Sequence, residues 1–324
     1  MVWFGGIRIA GLSGIYKKHN YLLGHFEAPP YSEKSLRSAY HIRALEVSKL
    51  MALKRPIDVF LSHDWPAGIT AYGDEQGLIR RKRFLASDIQ HNVLGSPPAM
   101  SLLRFLKPRY WFSAHLHTKF AALVPHGSEG ECTRFLSLDK CLPGREFLQI
   151  IDFPDAVGEK KFAYDAEWLA ITKVTHPLLR FEARNSNPPP PISLSEEQIS
   201  LMKNMLDQRK LDYIPENFEP TQEPYDPTLR QKRGIMPRQL PTNPQTCEFL
   251  NMLGLDNPFL FQSIRGNRNE EHVNRRSYNN TMHESVVMQV ENPEDIQLDD
   301  EDGDNQVGVH NRAVDPSIQA ILPN

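Results

Sequence analysis

The sequence has 324 residues, with 37 Lys and Arg against 40 Asp and Glu, a formal charge of −3. Proline is heavy, 26 of 324 residues or about 8% against a usual ~5%, and apolar residues at 40% fall below the globular ~45–50%, so a folded part is diluted by a polar, Pro-rich part. No apolar run approaches the ~18 residues of a membrane span, the opening Met-Val-Trp-Phe does not read as a secretory leader, and Cys132, Cys141 and Cys247 without a C-x-x-C spacing make neither a disulfide framework nor a zinc finger; a reducing compartment with no disulfide-linked partner is expected.

Residues Gly6 to Ser13 alternate apolar with small or polar side chains and predict a strand almost at Met1. Residues 14–35 are too long for an ordinary connection and predict a functional loop. A single helix is predicted over Ser35–Leu53, closed by Pro56, then a strand over Ile57–Leu61. A short helix is predicted near Ser87–His91 and a clearer one from Ser96 to Pro108, with Pro97 at its first position. Strands are predicted at Tyr110–Phe112, Arg134–Leu138, Phe147–Phe153 and Trp168–Thr172. Strands alternating with helices to about residue 125 predict an α/β (α+β layered) core.

The character changes at about Arg184. Pro188–Pro191 is a tetraproline, and eleven prolines fall between Ser186 and Gln245, which predicts stiff, mostly extended chain. Two short helices interrupt it: one capped by Ser195 with Gln198 three residues on, the other running from Asn243-Pro244 to Gly254. Glu291 to Asp304 holds eight acidic residues in fourteen and predicts a disordered, solvated tail. The expected organisation is 1–180, 181–262 (Pro-rich linker and small helical region) and 263–324 (acidic tail).

His63 follows an apolar strand, where α/β folds place ligands, and neutral imidazole suits transition metals. His115-Leu-His117 is a stronger signal, because residues i and i+2 of an extended chain face one side; a pair of solvated histidines is the plain alternative. Asp64 is too close to His63 for easy co-ligation and suits orienting a ligand from behind, or simply a tight turn before Pro66. Tyr16, Lys17, His25, Phe26 and Tyr31 interleave rings with cations, as single-stranded nucleic acid asks; Arg37, Tyr40, His41 and Arg43 extend that surface or form a solvated helix face. Arg80-Arg-Lys-Arg83 is a basic cluster, read as a charged helix face or as a contact for phosphate. No P-loop, dinucleotide fingerprint or G-x-S-x-G elbow occurs.

Several stretches together resemble a known family. Gly5-Gly-Ile-Arg-Ile-Ala-Gly-Leu-Ser-Gly-Ile-Tyr16, Gly24-His-Phe-Glu-Ala-Pro-Pro-Tyr31, Tyr40-His-Ile-Arg43, Phe60-Leu-Ser-His-Asp-Trp-Pro66, Leu106-Lys-Pro-Arg-Tyr-Trp-Phe-Ser-Ala-His-Leu-His117 and Leu138-Asp-Lys-Cys-Leu-Pro143 resemble the RNA lariat debranching enzymes, calcineurin-like metallophosphoesterases. The resemblance is dense over about 4–175, and Asn243-Pro-Gln-Thr-Cys-Glu-Phe249 resembles part of the family's C-terminal domain. It implies a β-sandwich flanked by helices and hydrolysis of the 2′–5′ phosphodiester at the branch point of intron lariat RNA. It implies His63, His115 and His117 as metal ligands, Mn²⁺, Fe²⁺ or Zn²⁺ as the metal (two per complete site), a nuclear location, and residues 14–35 as the loop that recognises the lariat.

One departure matters. The family pattern opens with Cys-x-His or Asp-x-His, then Gly-Asp with its metal-bridging carboxylate, then Gly-Asn-His-Glu with the general acid, all before the Gly-Gly-Ile-Arg strand. None of these motifs occurs in this sequence. The sandwich is therefore expected to be incomplete and the chain by itself to lack turnover. The alternatives are a branched-RNA-binding or regulatory product and, more remotely, a single-metal hydrolase built on the three histidines.

Overall fold

In the computed structural model, a Gly-Gly turn starts the sheet. β1 (Val2–Phe4) reverses through Gly5 and Gly6 into β2 (Ile7–Leu12). Both glycines have positive φ, 59° and 83°, as a two-residue hairpin turn requires. Gly6 is further constrained: a Cβ there would sit 2.4 Å from the Val157 carbonyl oxygen. The structure describes residues 1–258 except 30, 128–129, 185–186, 222–223 and 225–241. The expected acidic tail and residues 225–241 of the Pro-rich stretch lie outside the described residues.

Past β2 come α1 (Lys18–Tyr21), α2 (Glu33–Ser38), α3 (Ala44–Met51) and β3 (Val59–Ser62). Next are α4 (Glu75–Arg81), α5 (Ala86–Gln90), α6 (Pro97–Leu106), β4 (Tyr110–Ser113), β5 (Phe120–Pro125) and β6 (Cys132–Ser137). The order ends with β7 (Phe162–Tyr164), α7 (Ala166–Thr175), α8 (Glu196–Gln208) and α9 (Pro244–Leu253). Caps fix the helix starts: Asp74, Ser96, Asp165 and Asn243 each accept a backbone N–H in the first turn, and Ser195 with Gln198 closes a capping box. No helix among the described residues is long and apolar enough to cross a membrane.

The strands form one seven-stranded mixed sheet in the order β5-β6-β4-β3-β2-β1-β7. Its centre, β2-β3-β4-β6, is parallel, and the remaining pairings are antiparallel. Register places Ala10, Phe60, Trp111, Phe135 and Ala122 in one row across the sheet. All five are buried, and Phe60 stacks on Trp111 with centroids 4.0 Å apart. Leu50, Leu102, Leu103 and Ile171 of the helices join them in the core. On the alternate positions Leu61 and Leu123 are exposed, so the second face is only partly covered. The α/β layered class is as expected from the sequence, and the arrangement is compatible with a metallophosphoesterase-like fold; the described residues form one sheet.

Four local expectations differ. The helix predicted over Ser35–Leu53 is two helices, α2 and α3. The break at 39–43 exists because the chain there pairs with the loop: Ile15 N–H donates to the Tyr40 carbonyl and Ile42 N–H to the Ile15 carbonyl. Phe147–Phe153 is not a strand; Leu148 and Ile150 are 72% and 78% exposed, and no strand pairs with the segment. Trp168–Thr172 lies inside α7, because Asp165 caps the helix by accepting the Trp168 N–H at 2.8 Å. β5 and α4 carried no strong periodic signal and were not expected.

Arg8 binds these pieces together. It points from β2 to the helix side and is 0% exposed. Its Nε donates to Asp165 Oδ2 (2.8 Å), its Nη2 to Glu167 Oε2 (2.6 Å) and its Nη1 to the Arg55 carbonyl (2.7 Å). Glu167 uses its other oxygen to accept the Lys54 N–H at 2.8 Å. Removing one member of a buried ion cluster leaves uncompensated charge and costs about 3–5 kcal/mol. Arg8→Met is therefore expected to lower the urea-unfolding free energy by about that much, with a change below about 1 kcal/mol as the contrary result.

Candidate metal centre and nucleic-acid interface

The parallel register decides which side chains meet. Leu12, Ser62 and Ser113 end β2, β3 and β4 at the same level of the sheet. His63 follows β3 directly and His115 lies two residues past β4, so both rings emerge at the carboxyl edge, where parallel sheets bind ligands. The imidazoles stack with centroids 4.8 Å apart and planes 19° from parallel.

A buried hydrogen-bond network holds the two turns. Ser62 and Ser113 hydroxyls lie 2.8 Å apart, and Trp111 Nε1 donates to Ser62 Oγ at 2.9 Å. Ser62 Oγ also donates to the Asp64 carbonyl at 2.7 Å, while Trp65 Nε1 donates to the Ala114 carbonyl at 2.8 Å. Within this frame His115 and His117 take left-handed backbone conformations, φ 61° and 47°. Non-glycine residues adopt that region at a cost of order 1–3 kcal/mol, and such strain concentrates at functional sites. The left-handed turn also departs from the extended chain of the simple i, i+2 picture, and the charges of Lys140, Lys82 and His115 all act on the His117 ring.

Asp64 is buried at the junction of histidines and loop. Oδ1 lies 3.3 Å from His115 Nδ1 and accepts the Trp65 N–H at 3.0 Å. Oδ2 accepts the Tyr16 N–H at 3.1 Å. A carboxylate on Nδ1 leaves Nε2 of that ring as the free lone pair. Burial, then the neighbouring His115, lowers the His63 pKa against the opposing pull of Asp64. The His117 pKa is lowered by burial first, then by Lys140 and Lys82. Both shifts favour the neutral ring, the form that binds metal.

Neutral imidazoles are suitable donors for Mn²⁺, Fe²⁺ or Zn²⁺, so the donor chemistry fits the group the resemblance implies. Among the described residues no three His, Cys, Asp or Glu side chains stand close enough to hold an ion together.

The predicted loop is folded onto the same edge. Gly14, at φ 99°, passes so close to the 39–43 segment that a Cβ would lie 2.3 Å from the Tyr40 carbonyl oxygen. Gly24 and His25 donate backbone N–H groups to the Glu182 and Arg180 carbonyls, and His25 Nε2 meets Glu46 Oε1 at 2.9 Å. Tyr16 packs edge-on against Tyr21, with ring centroids at 5.5 Å. Lys17, Arg37 and Tyr40 are exposed, and Tyr16, His25, Phe26, Tyr31 and His41 are partly exposed. Arg43 differs: it is 1% exposed, and its guanidinium donates to Glu27 (2.6 Å) and the Ser38 carbonyl (3.1 Å). It therefore braces the loop from beneath. A cavity of about 280 Å³ opens between the loop and α3, lined by residues including His25, Tyr40, His41, Lys49 and Trp168.

A family model described as "Lariat debranching enzyme, C-terminal domain" matches residues 130–258. The chain is 46% identical over 272 residues to the lariat debranching enzyme of Arabidopsis thaliana, covering 83% of this chain and 63% of that protein. It is 41% identical over 345 residues to that of Gallus gallus (98% of this chain, 63% of that protein). The Homo sapiens enzyme is 38% identical over 357 residues (99% and 64%). Over these lengths the chain is similar to lariat debranching enzymes. It spans a little under two thirds of the length of these relatives.

Sequence reasoning singled out the histidines, Asp64 and the loop, but missed the Ser62–Ser113–Trp111 network, Glu46, and the charges of Lys82 and Lys140 acting on His117. Lys82 had a signal, the Arg80–Arg83 cluster; the serines had none, since their role depends on register.

His41 gives a pH test of the loop's seat. Burial first, then Arg43, His19 and Lys17, lowers its pKa from 6.5 to about 4. Between those values the unfolded chain holds a proton that the folded chain refuses. Stability from neutral His41 is thus complete above 6.5 and falls away towards 4. His41→Asn, which can still accept from Asn20, is expected to flatten the dependence of the urea midpoint on pH across that window; an unchanged slope would count against a buried neutral ring.

Proposed function

We propose that this chain is part of a metal-dependent phosphodiesterase that hydrolyses the 2′–5′ bond at the branch point of intron lariat RNA. The reading rests above all on the stacked His63–His115 pair beside an aromatic and basic loop, both joined by Asp64. The names of the relatives agree with it. His63, His115 and His117 would hold divalent metal, Mn²⁺, Fe²⁺ or Zn²⁺, with a second ion in a complete site. Such ions neutralise phosphoryl oxygens and generate hydroxide near neutral pH.

The chain's own residues have separate tasks. Asp64 holds His115 with Nε2 outward and pins Tyr16 at the root of the loop. Tyr16, Phe26, Tyr31 and Tyr40 offer ring faces to splayed bases, and Lys17 and Arg37 meet phosphates. Glu27, Arg43 and Glu46 keep the loop in place. Because no three His, Cys, Asp or Glu side chains among the described residues group closely enough to hold an ion, the three histidines would supply only part of the ligand set, and the chain alone is expected to bind branched RNA without turning it over. A nuclear site of action in RNA processing after splicing accords with that substrate.

Two measurements test this. Tyr16→Ala is expected to weaken branched-RNA binding by about 1–3 kcal/mol, the value of one base–aromatic stack, while leaving a distant Phe218→Ala control unchanged. Zn²⁺ titration followed by histidine ring NMR is expected to shift His63 and His115 together and to lose both responses in His115→Ala. Efficient debranching by the purified chain with Mn²⁺ would overturn the expectation of binding without turnover.

A further inference from the structure

Beyond the histidines, three segments converge on the far end of the same sheet edge. The turn at 117–119 leads into β5, the C-terminus of α4 carries Arg81 and Lys82, and the chain leaving β6 carries Asp139, Lys140 and Arg145. Hydrogen bonds join them. Arg81 Nη2 donates to the Lys119 carbonyl at 3.3 Å, and Ser137 Oγ to the Thr118 carbonyl at 3.1 Å. Lys119 pairs with Glu146 at 2.8 Å, and Arg145 grips Asp139 through Nε and Nη2 at 2.9 and 3.1 Å.

Against the carboxylates of Asp139 and Glu146 this cluster sets Arg81, Lys82, Lys119, Lys140 and Arg145. It therefore carries a net positive charge beside His117. Lys82 lays its ammonium 5.9 Å from the Phe84 ring centroid, so part of its hydration is replaced by carbon. Burial first, and then Arg145 and Lys140, lower the Lys82 pKa, with Asp139 opposing. Cations crowded this way are relieved by an anion.

We propose that Lys82 and Lys140, backed by Arg81, form a phosphate-holding edge that grips the RNA strand on the side of the histidines opposite the recognition loop. The inference rests on the RNA reading above. Topology sets the direction: along the carboxyl edge the order is loop after β2, His63 after β3, His115 after β4, then the Lys140 segment after β6. A polynucleotide whose phosphodiester lies at the histidines must leave in both directions. The loop takes bases on one side, and this edge supplies charge without base-reading groups on the other. Binding there should be indifferent to sequence.

The test uses the full chain, a labelled single-stranded RNA of ~20 nucleotides and a branched RNA, titrated from about 50 to about 200 mM KCl. Each cation removed from a phosphate should reduce the slope of log K against log salt by about 0.7, or about 5-fold in affinity near 100 mM. Lys82→Gln/Lys140→Gln is expected to reduce that slope by about 1.4 on every RNA sequence. Lys82→Arg/Lys140→Arg should restore binding, and Lys203→Gln/Arg209→Gln, on α8 and at its C-cap, should leave it unchanged. An unaltered slope in the double Gln variant, with wild-type binding still sensitive to Tyr16→Ala, overturns this edge and leaves the RNA reading standing. Absence of salt-sensitive binding by the wild-type chain overturns the RNA reading and the edge with it. Loss of poly-glutamate binding with RNA binding intact assigns the patch to an acidic protein partner and also overturns the edge.

Discussion

A guanidinium with no access to water sets the frame of this molecule. Arg8 sits in the middle of β2, and its side chain crosses from the sheet to the first turn of α7, to the 54–56 carbonyl edge and, through Glu167, to the Lys54 amide. Such a group tolerates few arrangements, because every N–H it carries must find an acceptor in a dry interior. The spacing of sheet and helix is therefore fixed at the point where the chain would otherwise be free to slide. Lys54 extends the tie by donating to the Leu194 carbonyl just ahead of α8, so the segment beyond the tetraproline is held to the same centre.

The site inherits this rigidity through the strand ends. Parallel register brings Ser62 against Ser113, and the indole of Trp111 completes a small polar network under the two turns. The turns can then hold His115 and His117 in left-handed conformations that an isolated peptide would avoid. Their imidazoles are presented by an over-determined scaffold.

Asp64 unites two parts that are remote in sequence. One carboxylate faces a histidine after β4 and the backbone at the root of the loop after β2. Displacing the loop therefore withdraws a hydrogen bond from the carboxylate that orients His115. The buried Arg43–Glu27 pair and the His25–Glu46 pair hold the rest of the loop from below, so the exposed rings stand on a braced surface. The cationic edge near His117 continues the same rim, and the histidines sit between the aromatic loop and that charged edge.

Local sequence determined much by itself. Alternation and caps located β2, α6, α8 and α9, because a Ser or Asn cap and a Pro at the first turn act within four residues. The Ser-His-Asp run after an apolar strand placed His63 and Asp64 at a strand end, as the structure has them. Tertiary structure decided the rest. Trp168–Thr172 is apolar enough for either a strand or a buried helix, and Asp165, held by Arg8, made it a helix. The break between α2 and α3 came from pairing with Ile15, a partner more than twenty residues away. Arg43 looked like a surface cation and is a buried brace, because its partner Glu27 lies on the far side of the loop. The meeting of His63, Asp64, His115 and Tyr16, and the gathering of Lys82 and Lys140 beside His117, follow from strand order and register. Those arise from long-range packing, which no local pattern encodes.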